Sequence, residues 1–143
     1  MSANKTNGAL FAALLVFSHD GAMTMMTDVD AVPATRTQTV FFRTIQGTPS
    51  RLAQFDTLLP DCSENRNFKA LVTVMPKSGS LSAITEEVVA NYPPTAPQAA
   101  CNGQKHRQLV ILYTAKDVGA DNVTIRAGLG KEVVDLVFDI KAE

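Results

Sequence analysis

Few residues in this chain are able to do chemistry. Its 143 residues include two cysteines, Cys62 and Cys101, two histidines, His19 and His106, and no tryptophan. The cysteines stand 39 residues apart with no CxxC, no Cys–His spacing and no third ligand. Zinc takes three or four protein ligands, so no metal site is expected. A nucleophilic thiol needs a base within reach, and His106, five residues beyond Cys101, is the one histidine outside the N-terminal segment. Both cysteines sit in loop-like surroundings, Pro60-Asp61-Cys62-Ser63-Glu64-Asn65 and Gln98-Ala99-Ala100-Cys101-Asn102-Gly103. Buried spectator thiols favour strands and helices instead, so the pair reads as one disulfide, Cys62–Cys101, formed in an oxidising compartment. Closing a loop of about 40 residues contributes roughly 3–4 kcal/mol in the chain-entropy account.

Other catalytic constellations fail one at a time. There is no G-x-S-x-G elbow, no HExxH, no P-loop and no GxGxxG. His106 lies in Lys105-His106-Arg107, between two cations that do not orient it, and reads as an exposed loop histidine beside a strand. Glu86 and Glu87 are adjacent, which on a strand sends them to opposite faces and not into a carboxylate pair. No catalytic residue and no cofactor is expected. Two candidate interaction elements remain: the basic group Lys105, His106 and Arg107 with Lys116, and a proline-rich loop over 93–104 carrying Pro93, Pro94 and Pro97. The bland reading of the first is a solvated strand end; the alternative is contact with an anionic polymer or headgroup.

Charge narrows the partners. Thirteen basic and fourteen acidic residues give a net charge of −1. Residues 1–31 hold Lys5 against Asp20, Asp28 and Asp30, so the remainder is slightly basic. Neither part has the basic field that nucleic-acid binding requires, and no nucleic-acid partner is expected. With 45% hydrophobic residues and a charge near zero, disorder is excluded as well.

The elements that must position these residues begin with an apolar run, Ala9–Phe17. At nine residues it is far shorter than the roughly 20 that span a bilayer, so no integral membrane segment is expected. It matches a signal-peptide core with Lys5 as a minimal positive start. Two cleavage points compete, after Ala22 and after Ala31, and an N-terminal buried helix is the rival reading. Residues 1–31 are therefore assigned to a leader and linker, 18–36 to a polar linker, and 37–143 to the folded domain, periplasmic or secreted.

From Thr37 on, short β-rich runs alternate with turns. Strands are expected over Thr39–Ile45, Phe68–Met75, Arg107–Tyr113, Asn122–Ala127 and Glu132–Lys141. Ser80–Ile84 and Glu86–Tyr92 read as two short strands or one bent one, and 81–91 is left open between strand and helix. On strict alternation Phe68, Ala70, Val72 and Val74 share one face, while Leu71, Met75, Val133 and Val137 point away and form an apolar patch. Either strand 39–45 or loop 93–104 covers that patch, or it stays free for a partner. Six or seven strands with a proline-rich loop indicate an antiparallel β-sandwich.

Two segments carry a resemblance. Met75-Pro76-Lys77-Ser78-Gly79-Ser80-Leu81 resembles the P-x-x-G-[ST]-[LV] turn of bacterial cadherin-like and immunoglobulin-like repeats, and Tyr113-Thr114 with Gly119-Ala120-Asp121-Asn122-Val123-Thr124 resembles their Y-T-P…G-x-D-x-[FV]-T corner. The resemblance implies an all-β, antiparallel immunoglobulin-like sandwich of about seven strands in Greek-key order. It also implies structural turn roles for Pro76, Gly79, Tyr113, Gly119 and Asp121. Ala115 replaces the family proline, and Val118 stands where an aromatic is usual. The body holds no DxD or DxNDN-like cluster, so calcium is not carried over. The expected function is a non-enzymatic exported binding or structural module of the bacterial cell envelope. The alternative is a secreted inhibitor or accessory protein that grips another protein through loop 93–104.

Overall fold

The computed structural model describes residues 14–18, 23–26, 36–66, 68–129 and 132–143. They form nine strands: β1 (Leu14–Ser18), β2 (Met23–Met26), β3 (Arg36–Thr44), β4 (Ser50–Asp56), β5 (Lys69–Val74), β6 (Gly79–Val89), β7 (Lys105–Ala115), β8 (Gly119–Leu129) and β9 (Glu132–Ala142). One 3₁₀ turn, Ala99–Cys101, is the sole helical element among the described residues. The strands build two sheets, one ordered β2-β1-β5-β8-β9-β3 and one ordered β4-β7-β6. The protein is thus all-β, with two sheets and a Cys62–Cys101 disulfide. No helix of the described residues is long and apolar enough to cross a membrane.

Period-2 alternation explains the central strands. β7 and β8 turn Leu109, Ile111, Tyr113, Val123, Ile125 and Ala127 into one core, all at most 1% exposed. Burying side chains of this size is worth about 1.5–3 kcal/mol each for the larger ones, and the sheets meet through them. β6 runs without a break through 81–89 of the segment left open between strand and helix, and every residue of the strand pairs with β7, from Gly79↔Ala115 to Val89↔Lys105. Its glutamates have separate partners: Glu86 accepts two hydrogen bonds from Arg51, and Glu87 faces Lys105.

Three expectations need correction. β3 runs parallel to β9, from Arg36↔Val134 to Thr44↔Ala142, so the sandwich is not wholly antiparallel. A parallel pair needs a long crossover, and nearly the whole domain intervenes here. Second, β4 was not expected. A register shift between Arg51 and Ala53 buries Leu52 and Ala53 together and erases the alternation that would have marked the strand.

Third, a similar shift between Val72 and Val74 in β5 reverses the faces expected beyond it. Val74 is exposed, and Met75 packs against the core. Of the expected outward patch, Leu71, Val133 and Val137 are half-buried. β3 lies beside β9 in the same sheet and does not cover them. Within the segment assigned to leader and linker, the described residues form β1 and β2. β1 pairs with β5 (Leu15↔Val72 to Ser18↔Lys69) and β2 pairs with β1. His19, both expected cleavage points and most of the linker lie outside the described residues.

Candidate functional site

The β6–β7 hairpin ends in a long loop, and the construction of that loop follows from its residues. At its base the Ala90 N–H donates to Gln104 O (2.8 Å), and the Gly103 N–H donates to Ala90 O (3.0 Å). Gly103 has φ +89°, a conformation that glycine adopts without steric cost. One step out, the Tyr92 N–H donates to Asn102 Oδ1 (2.7 Å), and Asn102 Nδ2 donates back to Tyr92 O (3.0 Å). The side chain of Asn102 thus imitates a rung of the ladder that has just ended. Further out, Ala96 N–H donates to Pro93 O and Ala99 N–H to Ala96 O, a run of turns that prolines permit.

The disulfide fastens this loop to a second one. Cys62, at φ +68°, lies in the connection between β4 and β5, with Cα atoms 5.5 Å from cysteine to cysteine. Cys101 is fully buried and joins Leu58, Ala90, Cys62 and Tyr92 in a small apolar cluster apart from the main core. Local bonds shape the β4–β5 connection: Leu59 N–H to Ser63 O, Cys62 N–H to Leu59 O and Asn65 N–H to Thr57 O. Asp61 accepts from the hydroxyl and the N–H of Ser63, which hold its carboxyl below the usual carboxylate value.

His106 does not sit where the sequence suggested. It is not an exposed loop residue but lies in β7, with a side chain 4% exposed. Asp56 pairs with Gln108 across β4 and β7, so Asp56, Gln108 and His106 share the face turned away from the core. Tyr92 covers that face, its ring 6.3 Å from the His106 ring at 27°. The Tyr92 hydroxyl donates to Asp56 Oδ2, while Asp56 Oδ1 accepts from Leu58 N–H (3.0 Å) and lies 3.1 Å from His106 Nε2. Neither ring nitrogen of His106 has a hydrogen bond of acceptable geometry, despite that close approach. Burial, then the bond to Asp56 and its negative charge, push the Tyr92 hydroxyl well above its ordinary pKa. A shallow cavity of about 280 Å³ opens beside Asp56, lined also by Thr57, Asn65, Phe68 and Gln98.

The expected basic group is therefore divided. Alternation along β7 leaves Lys105 and Arg107 exposed and His106 buried on the other side. Lys105 reaches Glu87 at 3.6 Å, and the Arg107 N–H donates to Glu64 Oε1. Lys116 lies at the far end of β7, where its N–H donates to Ser78 O. Pro93 and Pro94 are exposed, together with Thr95 and Pro97, on the outer surface of the stapled loop.

At the opposite end the five turn residues do converge. Tyr113, fully buried, donates its hydroxyl to Asp121 Oδ2 (2.7 Å). Asp121 also accepts from the N–H groups of Lys77 (2.9 Å), Ser78 (3.0 Å) and Asn122 (2.9 Å). A Cβ on Gly79 would lie 2.5 Å from the Tyr113 ring, so no other residue fits there without displacement. Gly119 takes φ +126° to start β8, and half-buried Pro76 precedes the capped turn. Burial alone would raise the Asp121 carboxyl, but its four hydrogen bonds outweigh burial and hold it below the ordinary value. Burial and the Asp121 contact push the Tyr113 hydroxyl up.

No protein-family model, no curated protein and no solved structure matches this chain.

Both sulfurs are committed to the disulfide, and the Asp56 carboxylate is occupied by Tyr92 and Leu58. Among the described residues no three His, Cys, Asp or Glu side chains gather as a metal ion would need. Sequence reasoning missed Asp56, Tyr92 and Asn102. The first two meet only because β4 adjoins β7, a long-range pairing without a local signal. Asn102-Gly103 was a visible turn dipeptide whose partner, Tyr92, lies ten residues away.

Proposed function

We propose that this chain is a non-enzymatic binding module of the bacterial cell envelope or its exterior, gripping a protein or envelope component through loop 93–104. One observation carries the reading: a proline-rich loop is fixed by a disulfide, a side-chain clamp and two backbone bonds, yet leaves Pro93, Pro94, Thr95 and Pro97 exposed. Fixing a loop before contact removes ordering cost from association, which is what a binding element needs and a mere linker does not. The strand order β4-β7-β6 against β5-β8-β9-β3, and the Tyr113–Asp121 corner, support an immunoglobulin-like Greek key as its frame. A disulfide between loop cysteines supports an oxidising compartment, periplasmic or extracellular. Because β1 pairs with β5, removal of a leader beyond residue 18 would open that edge of the sheet, and the N-terminal mass of the exported protein decides whether it happens.

The binding test compares the wild type with a Pro93→Ala, Pro94→Ala, Thr95→Ala, Pro97→Ala variant as bait for a detergent-solubilised envelope fraction. Capture of a component by the wild type and its loss in the variant are expected. Equal capture by both removes the loop from the function, and two free thiols in the exported protein remove the compartment.

A further inference from the structure

The clamp that closes the loop is built from an Asn-Gly dipeptide, the sequence most prone to spontaneous deamidation. In that reaction the glycine backbone nitrogen attacks the asparagine side-chain carbonyl carbon and expels ammonia. Water then opens the cyclic imide to aspartate or isoaspartate. Three conditions govern the rate: the amide nitrogen must be free, the side-chain carbonyl must reach it, and the asparagine ψ must turn toward a strongly negative value.

Loop closure denies all three conditions at Asn102. The Gly103 nitrogen, the attacking atom, donates its hydrogen to Ala90 O at 3.0 Å. Both polar atoms of the Asn102 carboxamide are held by the Tyr92 backbone, at 2.7 and 3.0 Å. Asn102 ψ is 136°, in the extended region, which turns the Gly103 nitrogen away from the side chain. Yet Asn102 is exposed to solvent, so water is at hand once the clamp opens. Cys101 immediately precedes it, and the disulfide to Cys62 holds that end of the clamp.

We infer that Asn102-Gly103 is a modification site latched by loop closure, at which deamidation records irreversibly that the loop has opened. The chemistry makes the record one-way. Aspartate at 102 puts a carboxylate oxygen where Nδ2 now donates to Tyr92 O, replacing a hydrogen bond with a repulsion between two acceptors. Isoaspartate in addition lengthens the backbone by one carbon and shifts the Gly103–Ala90 bond out of register. This inference concerns the loop's own chemistry and stands whether or not the loop binds a partner.

The test incubates three samples at neutral pH and follows Asn102 by peptide mass spectrometry: the intact protein, the reduced and alkylated protein, and a linear peptide spanning 98–107. Deamidation of the intact protein is expected to be about ten- to a hundredfold slower than that of the peptide, the ratio that two or three hydrogen bonds of ordinary net strength imply. The reduced protein is expected to approach the peptide. Intact protein that reacts as fast as the peptide overturns the latch. Reduced protein as slow as the intact protein overturns the disulfide's part in it. A disulfide-intact Tyr92→Pro variant, which lacks the N–H donor to Asn102 Oδ1, is expected to fall between the two; an unchanged rate removes the clamp from the account.

Discussion

Each end of this sandwich is organised by a tyrosine hydroxyl given to an aspartate, and the two aspartates live under opposite conditions. Asp121 is 8% exposed and accepts three backbone N–H groups besides the Tyr113 hydroxyl. Asp56 has a side chain 36% exposed, accepts one backbone N–H besides the Tyr92 hydroxyl, and lies beside a histidine with no hydrogen bond. The corner at Asp121 joins turns within the main core and is fully satisfied. The cluster at Asp56 sits outside that core, under a loop held by a covalent bond. Polar saturation holds one end together and covalent stapling holds the other.

The contrast breaks most severely at the corner. Asp121→Ala leaves three buried or half-buried N–H groups and the Tyr113 hydroxyl without their acceptor, and a loss of about 3–5 kcal/mol is expected from the unmet desolvation of several groups. Urea unfolding measures it. The Cys62→Ser, Cys101→Ser double variant is expected to lose about 3–4 kcal/mol by the chain-entropy account. The readouts differ in place: hydrogen exchange should quicken across the whole β7–β8 region in the first, and chiefly in 57–68 and 90–104 in the second. A stapled loop as protected without its disulfide as with it would remove the distinction between the ends.

How far the sequence foretold these two ends follows from the range of the interactions. The residues of the corner were singled out through a resemblance whose motifs are local: a proline and glycine three residues apart, a tyrosine ending a run, and Gly119 two residues before Asp121. The loop end was half legible. Loop surroundings identified the disulfide, but the place of His106 depended on a strand, β4, whose bulge had hidden its alternation. The same kind of shift in β5 moved Met75 inward and Val74 outward. A period-2 reading fails wherever a bulge intervenes, and here it failed twice on elements flanking the sites.

Acid should unfold the protein through the corner. Because the folded Asp121 carboxyl is held below its unfolded value of 3.8, it contributes stability that is fully present above that value and is lost as pH falls through the lower folded one. The expected result is a decline in unfolding free energy below about pH 4 that is shallower in Asp121→Asn than in the wild type. Parallel slopes in the two proteins would assign acid sensitivity elsewhere.

The smaller effects compare like with like. Tyr113→Phe removes a buried donor to a charged acceptor and should cost about 1.5–3 kcal/mol, whereas Tyr92→Phe removes one at a carboxylate that water still reaches and should cost under about 1 kcal/mol. Equal costs would deny that saturation differs between the ends. His106 sharpens the point furthest, because its ring nitrogens are buried without hydrogen bonds and already carry a desolvation cost. Replacing it with a flat apolar ring, His106→Phe, removes that cost and keeps a stacking surface for Tyr92. The variant should therefore be neutral or more stable by up to about 1 kcal/mol, with loop protection retained in hydrogen exchange. A substantial loss would instead mean that the 3.1 Å approach to Asp56 is a working bond, and that the loop end, like the corner, depends on a satisfied carboxylate.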